Sequence, residues 1–323
     1  MIKRPTLLNK GDEIRIISPS SSIARVGGFN ENLRAKKRLE ALGFRVSFGQ
    51  HILENDVFYS SSIASRVADL HDAFLDEQVK AVMTTIGGNN SNELLPYIDY
   101  DLLAKHPKVF CGYSDTTSLH NAIRAKTGLA TFYGPAYSSF KMDELQEYQS
   151  QSFLEAVSHH SFELKPSASW SSDAWFDSSV ARQLKAGEWK AYNEGSARGT
   201  STGGNIQTYN LQAGTTYFPE VANPVVFVEQ AKGGSPLEFS SQLAQILQLH
   251  PDLAALVIGR FPVINQMSEE NLQLILDKYP VLQTIPVLYD VDFGHTQPIF
   301  TLPLGTNFYV KASKDGNSKL TVL

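Results

Sequence analysis

Short apolar runs alternate with segments of helical spacing through the first half of the chain. Residues 13–18 and 79–86 have the character of strands, each followed by a loop rich in Ser or Gly, and residues 30–42 and 62–75 have the spacing of amphipathic helices. Repeated β–α–β units of this kind predict a parallel sheet with helices on both faces. Ligands of such sheets bind beyond the carboxyl ends of the strands, so a site is expected in the loops there.

The 323 residues exceed the usual size of one hydrophobic core, so the length predicts two domains. The predicted division gives an N-terminal α/β domain of flavodoxin- or Rossmann-like type (residues 1–165), a linker with a tryptophan-bearing loop (166–198) and a smaller C-terminal α/β domain (199–323). Residues 300–311 are expected to supply strands that close a mixed sheet or barrel in the C-terminal domain.

The composition excludes several classes of protein. An apolar fraction of 42% and a charged fraction of 19% are typical of a globular protein, and the net charge of -5 without a basic patch argues against nucleic-acid binding. The single cysteine, Cys111, excludes an intrachain disulfide and is interpreted as a buried core residue rather than a nucleophile. Neither a signal-peptide h-region nor an apolar run of about 20 residues is present, which predicts a cytoplasmic protein without membrane contact.

A strand–turn–helix signature occupies residues 109–124. The apolar run Val-Phe-Cys ends at Gly-Tyr-Ser114-Asp115, and a helix-like run follows at once. A serine at the tip of such a turn projects its oxygen beyond the sheet, beside a helix N-terminus that favours negative charge. Thr116 stands where the G-x-S-x-G pattern has its last glycine. Ser114 is a candidate nucleophile; the alternative is that Ser114 or Asp115 only caps the helix.

A serine nucleophile requires a base within hydrogen-bond reach and a third group that orients this base. His295 is the best candidate base, because it follows Gly294 in a constrained loop past a predicted strand end; the alternative is a structural histidine. Glu229 ends the apolar strand Val-Val-Phe-Val-Glu, where a buried carboxylate needs a partner such as an imidazole N–H. Glu220 and Glu238 are rivals at positions that look more exposed.

An oxyanion hole requires backbone N–H groups close to the nucleophile. Asp115, directly after the serine, offers one, and the turn at Gly87-Gly88 offers another, since glycine lets the backbone approach a substrate closely. The chain has no H-E-x-x-H, C-x-x-C, G-x-G-x-x-G or P-loop lysine, so the sequence predicts neither a metal nor a cofactor.

Candidate substrate-binding residues are Asn89, in the Gly-Gly-Asn-Asn turn, and two tryptophans of the loop, Trp175 and Trp189. An indole ring offers an apolar wall on which a ligand can stack. The alternative is that these rings only pack an irregular segment.

Six ordered segments carry a family resemblance over nearly the whole chain. They are Thr84-Thr-Ile-Gly-Gly-Asn-Asn-Ser-Asn-Glu-Leu-Leu-Pro-Tyr-Ile-Asp-Tyr, Pro107-Lys-Val-Phe-Cys-Gly-Tyr-Ser-Asp-Thr-Thr-Ser-Leu, Thr131-Phe-Tyr-Gly-Pro, Gly203-Gly-Asn-Ile-Gln-Thr, Val226-Phe-Val-Glu and Gly294-His-Thr-Gln-Pro-Ile-Phe-Thr-Leu-Pro-Leu-Gly. Together they resemble the LD-carboxypeptidase family of serine peptidases. Members pair an N-terminal α/β domain with a smaller C-terminal domain and are usually cytoplasmic homodimers without cofactors.

The resemblance implies a catalytic triad of Ser114, Glu229 and His295 and oxyanion N–H groups on Gly88 and Asp115. Of the two branches of the family, the Thr-Ile-Gly-Gly turn is similar to the branch of the microcin C immunity protein, which cuts an amide between an aminoacyl group and a nucleotide-like moiety. The implied substrate is a small peptide or an aminoacyl-nucleotide. The alternatives are a murein tetrapeptide carboxypeptidase that releases terminal D-Ala and a non-catalytic small-ligand-binding protein.

Overall fold

The computed structural model describes residues 3–177 and 179–323. The chain divides into two compact units. The first comprises Met1–His160, Thr215–Pro219 and Thr301–Gly305, and the second comprises Ser161–Gly214, Glu220–Phe300 and Thr306–Leu323. The predicted domain boundaries at residues 165 and 198 stay a prediction.

The strands of the described residues are β1 (Glu13–Ile17), β2 (Arg45–Phe48), β3 (Val79–Thr84), β4 (Val109–Gly112), β5 (Thr131–Tyr133), β6 (Phe162–Leu164), β7 (Ser169–Trp170), β8 (Lys185–Ala186), β9 (Lys190–Asn193), β10 (Gly195–Asn205), β11 (Pro224–Glu229), β12 (Ala255–Gly259), β13 (Val287–Val291), β14 (Leu302–Leu304), β15 (Asn307–Ala312) and β16 (Lys319–Val322). The α-helices are α1 (Gly28–Glu31), α2 (Leu33–Ala41), α3 (Ile63–Leu75), α4 (Tyr100–Lys105), α5 (Thr117–Thr127), α6 (Gln146–Ser158), α7 (Ile206–Asn210), α8 (Pro236–Leu249) and α9 (Glu269–Leu276). Short 3-10 helices span Ile23–Val26, Ser91–Tyr97, Ser114–Thr116, Tyr137–Lys141, Val263–Asn265 and Pro280–Gln283.

The first unit contains a six-stranded sheet in the order β14-β5-β4-β3-β1-β2. The five strands β1 to β5 are parallel, as the alternation of strands and helices predicts. Burial of β3 and β4 explains their near-continuous apolar sequences, because helices cover parallel sheets on both faces. The carboxyl ends of β3 and β4 lead into the turn at Gly87 and into Ser114, so both segments lie at one edge of the sheet.

Helices of the first unit pack an apolar face against this sheet. Val67, Leu70 and Phe74 of α3 belong to one buried cluster with Leu119 and Ile123 of α5. Their spacing of three or four residues places each set on one side of its helix. The turn that contains Ser114 is thereby joined to a helix whose inner face is fixed in the core.

The second unit contains an eight-stranded mixed sheet in the order β6-β16-β15-β10-β11-β12-β13-β9. Strands β10 to β13 are parallel, and β15, β16, β6 and β9 pair in antiparallel fashion around them. This confirms the expected mixed sheet. Glu229 is the last residue of β11, whose six residues are all buried.

The prediction that residues 300–311 supply strands only to the sheet of the C-terminal domain is wrong for Leu302–Leu304. This strand, β14, pairs antiparallel with β5, with Leu302 opposite Tyr133, and forms an edge of the first sheet. β15, by contrast, pairs with β10 in the second sheet. Strand character is a local property, but the choice of sheet depends on partners far away in the chain, which the pattern cannot show.

The tryptophan-bearing segment contains more regular structure than its weak periodicity suggests. β7 and β8 form a two-stranded antiparallel sheet, with Trp170 opposite Lys185, and β9 pairs with β13 at the edge of the mixed sheet. Within the described ranges, the helices are all too short or too polar to cross a bilayer.

Candidate active site

Ser114 has a strained backbone at the tip of the strand–turn–helix segment. β4 ends at Gly112, Tyr113 is extended, and Ser114, with a φ of 63°, is the first residue of the 3-10 turn that leads into α5. A residue with a Cβ in this left-handed region costs about 1–3 kcal/mol, and such strain concentrates at functional sites. The sharp turn is the conformation of a nucleophile elbow, which presents the serine oxygen at the sheet edge.

The glycine turn approaches this serine closely. A Cβ placed on Gly87 would lie 2.8 Å from Cβ and 3.0 Å from Oγ of Ser114, so a side chain at this position would collide with the serine. Gly88 follows and is half-buried. Because these two residues have no side chain, the backbone of the turn can lie directly beside the serine.

The carboxylate of Asp115 connects the serine turn with two other loops of the same sheet edge. Its Oδ2 accepts hydrogen bonds from Ser20 Oγ (2.6 Å) and from the backbone N–H of Ser91 (2.8 Å), and Ser91 Oγ donates to the Asp115 carbonyl at 2.7 Å. Asp115 is only 4% exposed. This side chain therefore holds loops together and is not the helix cap that the sequence left open.

Glu229 and His295 form a hydrogen-bonded pair in the second unit. Glu229 Oε2 lies 2.7 Å from His295 Nδ1, and the glutamate is fully buried whereas the histidine side chain is 17% exposed. Because a carboxylate only accepts, Nδ1 donates the hydrogen of this bond. Gly294 has a φ of +105°, and a Cβ there would lie 2.5 Å from Glu229 Oε2, so glycine is required for the histidine loop to pass the glutamate.

Asn205 fixes the second oxygen of Glu229. Asn205 Nδ2 donates to Glu229 Oε1 at 3.0 Å, and Asn205 Oδ1 accepts from the N–H and the hydroxyl of Thr208 at the start of α7. The amide cannot rotate without losing these bonds. The buried carboxylate thus has a partner for each oxygen, which offsets the cost of burying its charge.

Comparison with known proteins identifies the family. The family model of the LD-carboxypeptidase N-terminal domain matches residues 14–134, and that of the LD-carboxypeptidase C-terminal domain matches residues 198–310. The putative carboxypeptidase YocD of Bacillus subtilis (strain 168) is 40% identical over 319 residues, which are 98% of this chain and 98% of YocD. The chain belongs to the LD-carboxypeptidase family.

Solved structures support the same assignment for this LD-carboxypeptidase family member. The crystal structure of an MccF-like protein from Bacillus anthracis has a TM-score of 0.95 at 42% identity and covers 99% of each chain. The microcin C7 self-immunity protein MccF of Escherichia coli is 31% identical over 93% of this chain and 90% of MccF. The structure of MccF in complex with aspartyl sulfamoyl adenosine has a TM-score of 0.88 at 30% identity, covering 98% of this chain and 97% of that one. The protein is a serine hydrolase with the α/β fold of this family.

The two rival glutamates, the histidine of α5 and the single cysteine have environments that differ from those of Glu229 and His295 in this LD-carboxypeptidase family member. Glu238 forms a capping box with Ser235 at the start of α8, and Glu220 is exposed. His120 is fully buried, and burial lowers its pKa to about 4, so its neutral imidazole donates Nε2–H to the Gly112 carbonyl at 2.9 Å. Burial raises the pKa of the Cys111 thiol, which is 1% exposed, as expected for a core cysteine.

The candidate substrate-binding residues lie in different environments. Asn89 is exposed beside the glycine turn. Trp175 is half-buried and packs edge-on against Phe176, which is 67% exposed. Trp189 is 5% exposed, and its Nε1 donates to Asp292 Oδ2 at 2.8 Å.

Two site-supporting residues were missed by sequence reasoning. Asn205 ends β10 directly after two glycines. A polar residue at the end of a strand after a Gly-Gly pair could have indicated a site residue from the sequence alone. Asp292 is fully buried and binds Trp189, Ser167 and Arg260 three residues before His295. Its partners come from distant parts of the chain, so no local pattern identifies it.

Proposed function

We propose that this protein hydrolyses the amide bond between an aminoacyl group and a nucleotide-like amine, with Ser114 as nucleophile, His295 as base and Glu229 as the group that orients the base. The observation that carries the proposal is the 2.7 Å bond between the buried Glu229 and His295 Nδ1, which orients the imidazole with Nε2 turned away from the glutamate. The left-handed elbow at Ser114 supports the assignment of the nucleophile.

The proposed reaction is acyl transfer to water. His295 Nε2 takes the hydroxyl proton of Ser114 while Oγ attacks the substrate carbonyl carbon. The resulting imidazolium then gives this proton to the leaving nitrogen as the C–N bond breaks, which leaves an acyl-enzyme. A water molecule, deprotonated by the same imidazole, attacks the ester carbonyl, and the proton returns to Ser114 Oγ as the acid product leaves. Glu229 stabilises the imidazolium in both steps.

The backbone N–H groups of Gly88 and Asp115 are the proposed donors to the oxyanion. Each such donor contributes about 3–4 kcal/mol at the upper range of measured effects. The hydrogen bonds from Ser20 and Ser91 to the Asp115 carboxylate support this role, because they restrain the segment that supplies one donor.

The choice of substrate class is supported by MccF, whose structure contains aspartyl sulfamoyl adenosine. The Thr84-Thr-Ile-Gly-Gly turn of this chain resembles the pattern of that branch. Trp175 is the better of the two tryptophans for stacking on a base, because Trp189 is buried in a packing role. Asn89 is proposed to contact the substrate beside the oxyanion turn. The predicted cytoplasmic homodimer stays a prediction.

Paired hydrolysis assays test the proposal. The purified protein and its Ser114→Ala variant are incubated with aspartyl sulfamoyl adenosine and, separately, with a murein tetrapeptide, and products are identified by mass spectrometry. The proposal is supported if the wild type releases aspartate and the Ser114→Ala variant does not. Release of D-Ala alone would establish the murein carboxypeptidase alternative, and equal activity of the Ser114→Ala variant would exclude Ser114 as nucleophile.

A further inference from the structure

The phenol oxygen of Tyr133 contacts the backbone of the proposed nucleophile. The N–H of Ser114 donates to Tyr133 Oη at 3.0 Å. Tyr133 ends β5, where it pairs with Gly112 of β4, and its side chain is fully buried. A side chain from the neighbouring strand thus accepts a hydrogen bond from the backbone nitrogen of the strained serine.

The ring of Tyr133 is fixed on two sides by other aromatic rings. It packs edge-on against Tyr113, with centroids 6.3 Å apart, and lies tilted against His120 at 5.9 Å. His120 in turn donates to the carbonyl of Gly112, two residues before Ser114. Because packed aromatic rings in a core lack free rotation, the phenol oxygen is a fixed point against which the turn is held.

The conformation of Ser114 makes such a fixed point necessary. Its φ of 63° is unfavourable for a residue with a Cβ, so an unrestrained turn relaxes toward negative φ. Rotation about the N–Cα bond of Ser114 moves its Cβ and Oγ relative to the preceding peptide plane. A hydrogen bond to the serine N–H fixes the orientation of this peptide plane and so restrains the position of Oγ. The same bond occupies the Ser114 N–H, which agrees with oxyanion donors on Gly88 and Asp115.

We propose that Tyr133 is a positioning residue that holds Ser114 in the left-handed conformation from which Oγ attacks. The inference rests on the proposed function, in which Ser114 is the nucleophile. Tyr133 acts through the serine backbone and takes no part in proton transfer. It therefore governs the rate at which Ser114 reacts and leaves substrate affinity unchanged.

The chain offers a matched pair of variants, Tyr133→Phe and Tyr137→Phe. Tyr137 belongs to the same unit, is 1% exposed, and donates from its phenol to the carbonyl of Asn32 at 3.0 Å. Each substitution removes a buried phenol oxygen that hydrogen-bonds to the backbone and keeps the aromatic ring. The two variants are expected to lose similar thermal stability, and only Tyr133→Phe is expected to slow the reaction.

The decisive measurement is the rate of labelling by a small fluorophosphonate, with the modified residue located by peptide mass spectrometry and rates normalised to the folded fraction. Tyr133→Phe is expected to react about tenfold more slowly at Ser114 than the wild type, the effect of losing one restraining hydrogen bond, and Tyr137→Phe at the wild-type rate. With aspartyl sulfamoyl adenosine, kcat is expected to fall by the same factor while KM stays within about twofold.

The outcomes separate this inference from the proposed function. Equal labelling of Tyr133→Phe and the wild type would overturn the role of Tyr133 and leave Ser114 as nucleophile. Absence of labelling at Ser114 in the wild type would count against the activated serine itself. The pH midpoint of labelling is expected to be unchanged in Tyr133→Phe, and a shifted midpoint would overturn a purely positioning role.

Discussion

Ser171 and Gln297 exchange two backbone hydrogen bonds, each 2.8 Å from nitrogen to oxygen. Ser171 lies in the tryptophan-bearing segment, and Gln297 lies two residues after His295. The buried carboxylate of Asp292 adds bonds to Trp189 and to the backbone N–H and hydroxyl of Ser167. Within the second unit, the tryptophan-bearing segment is therefore fastened to the chain segment that carries the proposed base.

Trp189 and Trp175 are predicted to differ in what their substitution changes. Trp189→Phe removes a buried donor to Asp292 and is expected to lower the free energy of unfolding by about 1–3 kcal/mol. Trp175→Phe, at a half-buried position, is expected to stay within about 0.5 kcal/mol of the wild type. Urea unfolding followed by circular dichroism measures both, and equal losses would contradict the distinction.

Trp175 is predicted to contribute to binding of the nucleoside. Trp175→Ala is expected to raise KM for aspartyl sulfamoyl adenosine by about tenfold, because base–aromatic stacking contributes about 1–3 kcal/mol. The value of kcat is expected to change little, since the proposed mechanism gives the ring no part in proton transfer or in the attack on the carbonyl. Steady-state kinetics test this, and an unchanged KM would remove Trp175 from the substrate site.

Ser114→Ala is predicted to abolish hydrolysis and leave folding intact. Loss of a triad nucleophile lowers kcat by about 10⁶-fold in a well-studied serine protease, so residual activity is expected below detection. Ser118→Ala, four residues further on at a buried position of α5, is the matched control and is expected to remain active. Turnover by Ser114→Ala near the wild-type rate would contradict the proposed nucleophile.

Glu229→Gln is predicted to lower kcat by about 10³–10⁴-fold, because an amide in place of the carboxylate does not stabilise the imidazolium. Asn205→Ala removes the bond to the other glutamate oxygen and the two bonds from Thr208 but keeps the carboxylate, so it is expected to cost about tenfold. Both variants are compared by kcat on the same substrate. A larger effect for Asn205→Ala than for Glu229→Gln would mean that Asn205 acts in some other way than by positioning the glutamate.

His120 is predicted to make stability depend on pH. Its folded pKa of about 4 lies below the unfolded value of 6.5, so the unfolded chain binds a proton that the buried ring does not. This contribution to stability is complete above pH 6.5 and is lost as the pH falls toward 4. It amounts to about 2 kcal/mol between pH 7 and pH 5.

His120→Gln isolates this contribution, because its amide can donate to Gly112 and does not titrate in this range. Urea unfolding at pH 7 and pH 5 is expected to show a smaller loss of stability in the variant than in the wild type. Identical losses in the two proteins would contradict the assignment to His120.

Much of the secondary structure followed from local sequence. The helix predicted over residues 62–75 is α3, and Ser62 caps it by accepting from the N–H of Ser65. Ser268, directly before α9, likewise accepts from the N–H of Asn271. Such features depend on neighbours within one helical turn, which the sequence displays directly.

The helix predicted over residues 30–42 was wrong as a single element. It consists of α1 and α2, divided at Asn32, whose side-chain amide donates to the carbonyls of Val26 and Gly28. A side chain that bonds to the backbone of the preceding turn competes with helix continuation. Apolar spacing continues across such an interruption and does not reveal it.

The sequence by itself determined the alternation of strands and helices, the turn at Ser114 and the identity of Glu229 and His295 as candidates. Only the tertiary structure decided that Leu302–Leu304 joins the first sheet, that Glu229 binds His295 and Asn205, and that Tyr133 binds the Ser114 backbone. The first group of features arises from residues adjacent in the chain. The second arises between residues 19 to 173 positions apart, whose pairing depends on which packing of the whole chain buries the most apolar surface with its polar groups satisfied.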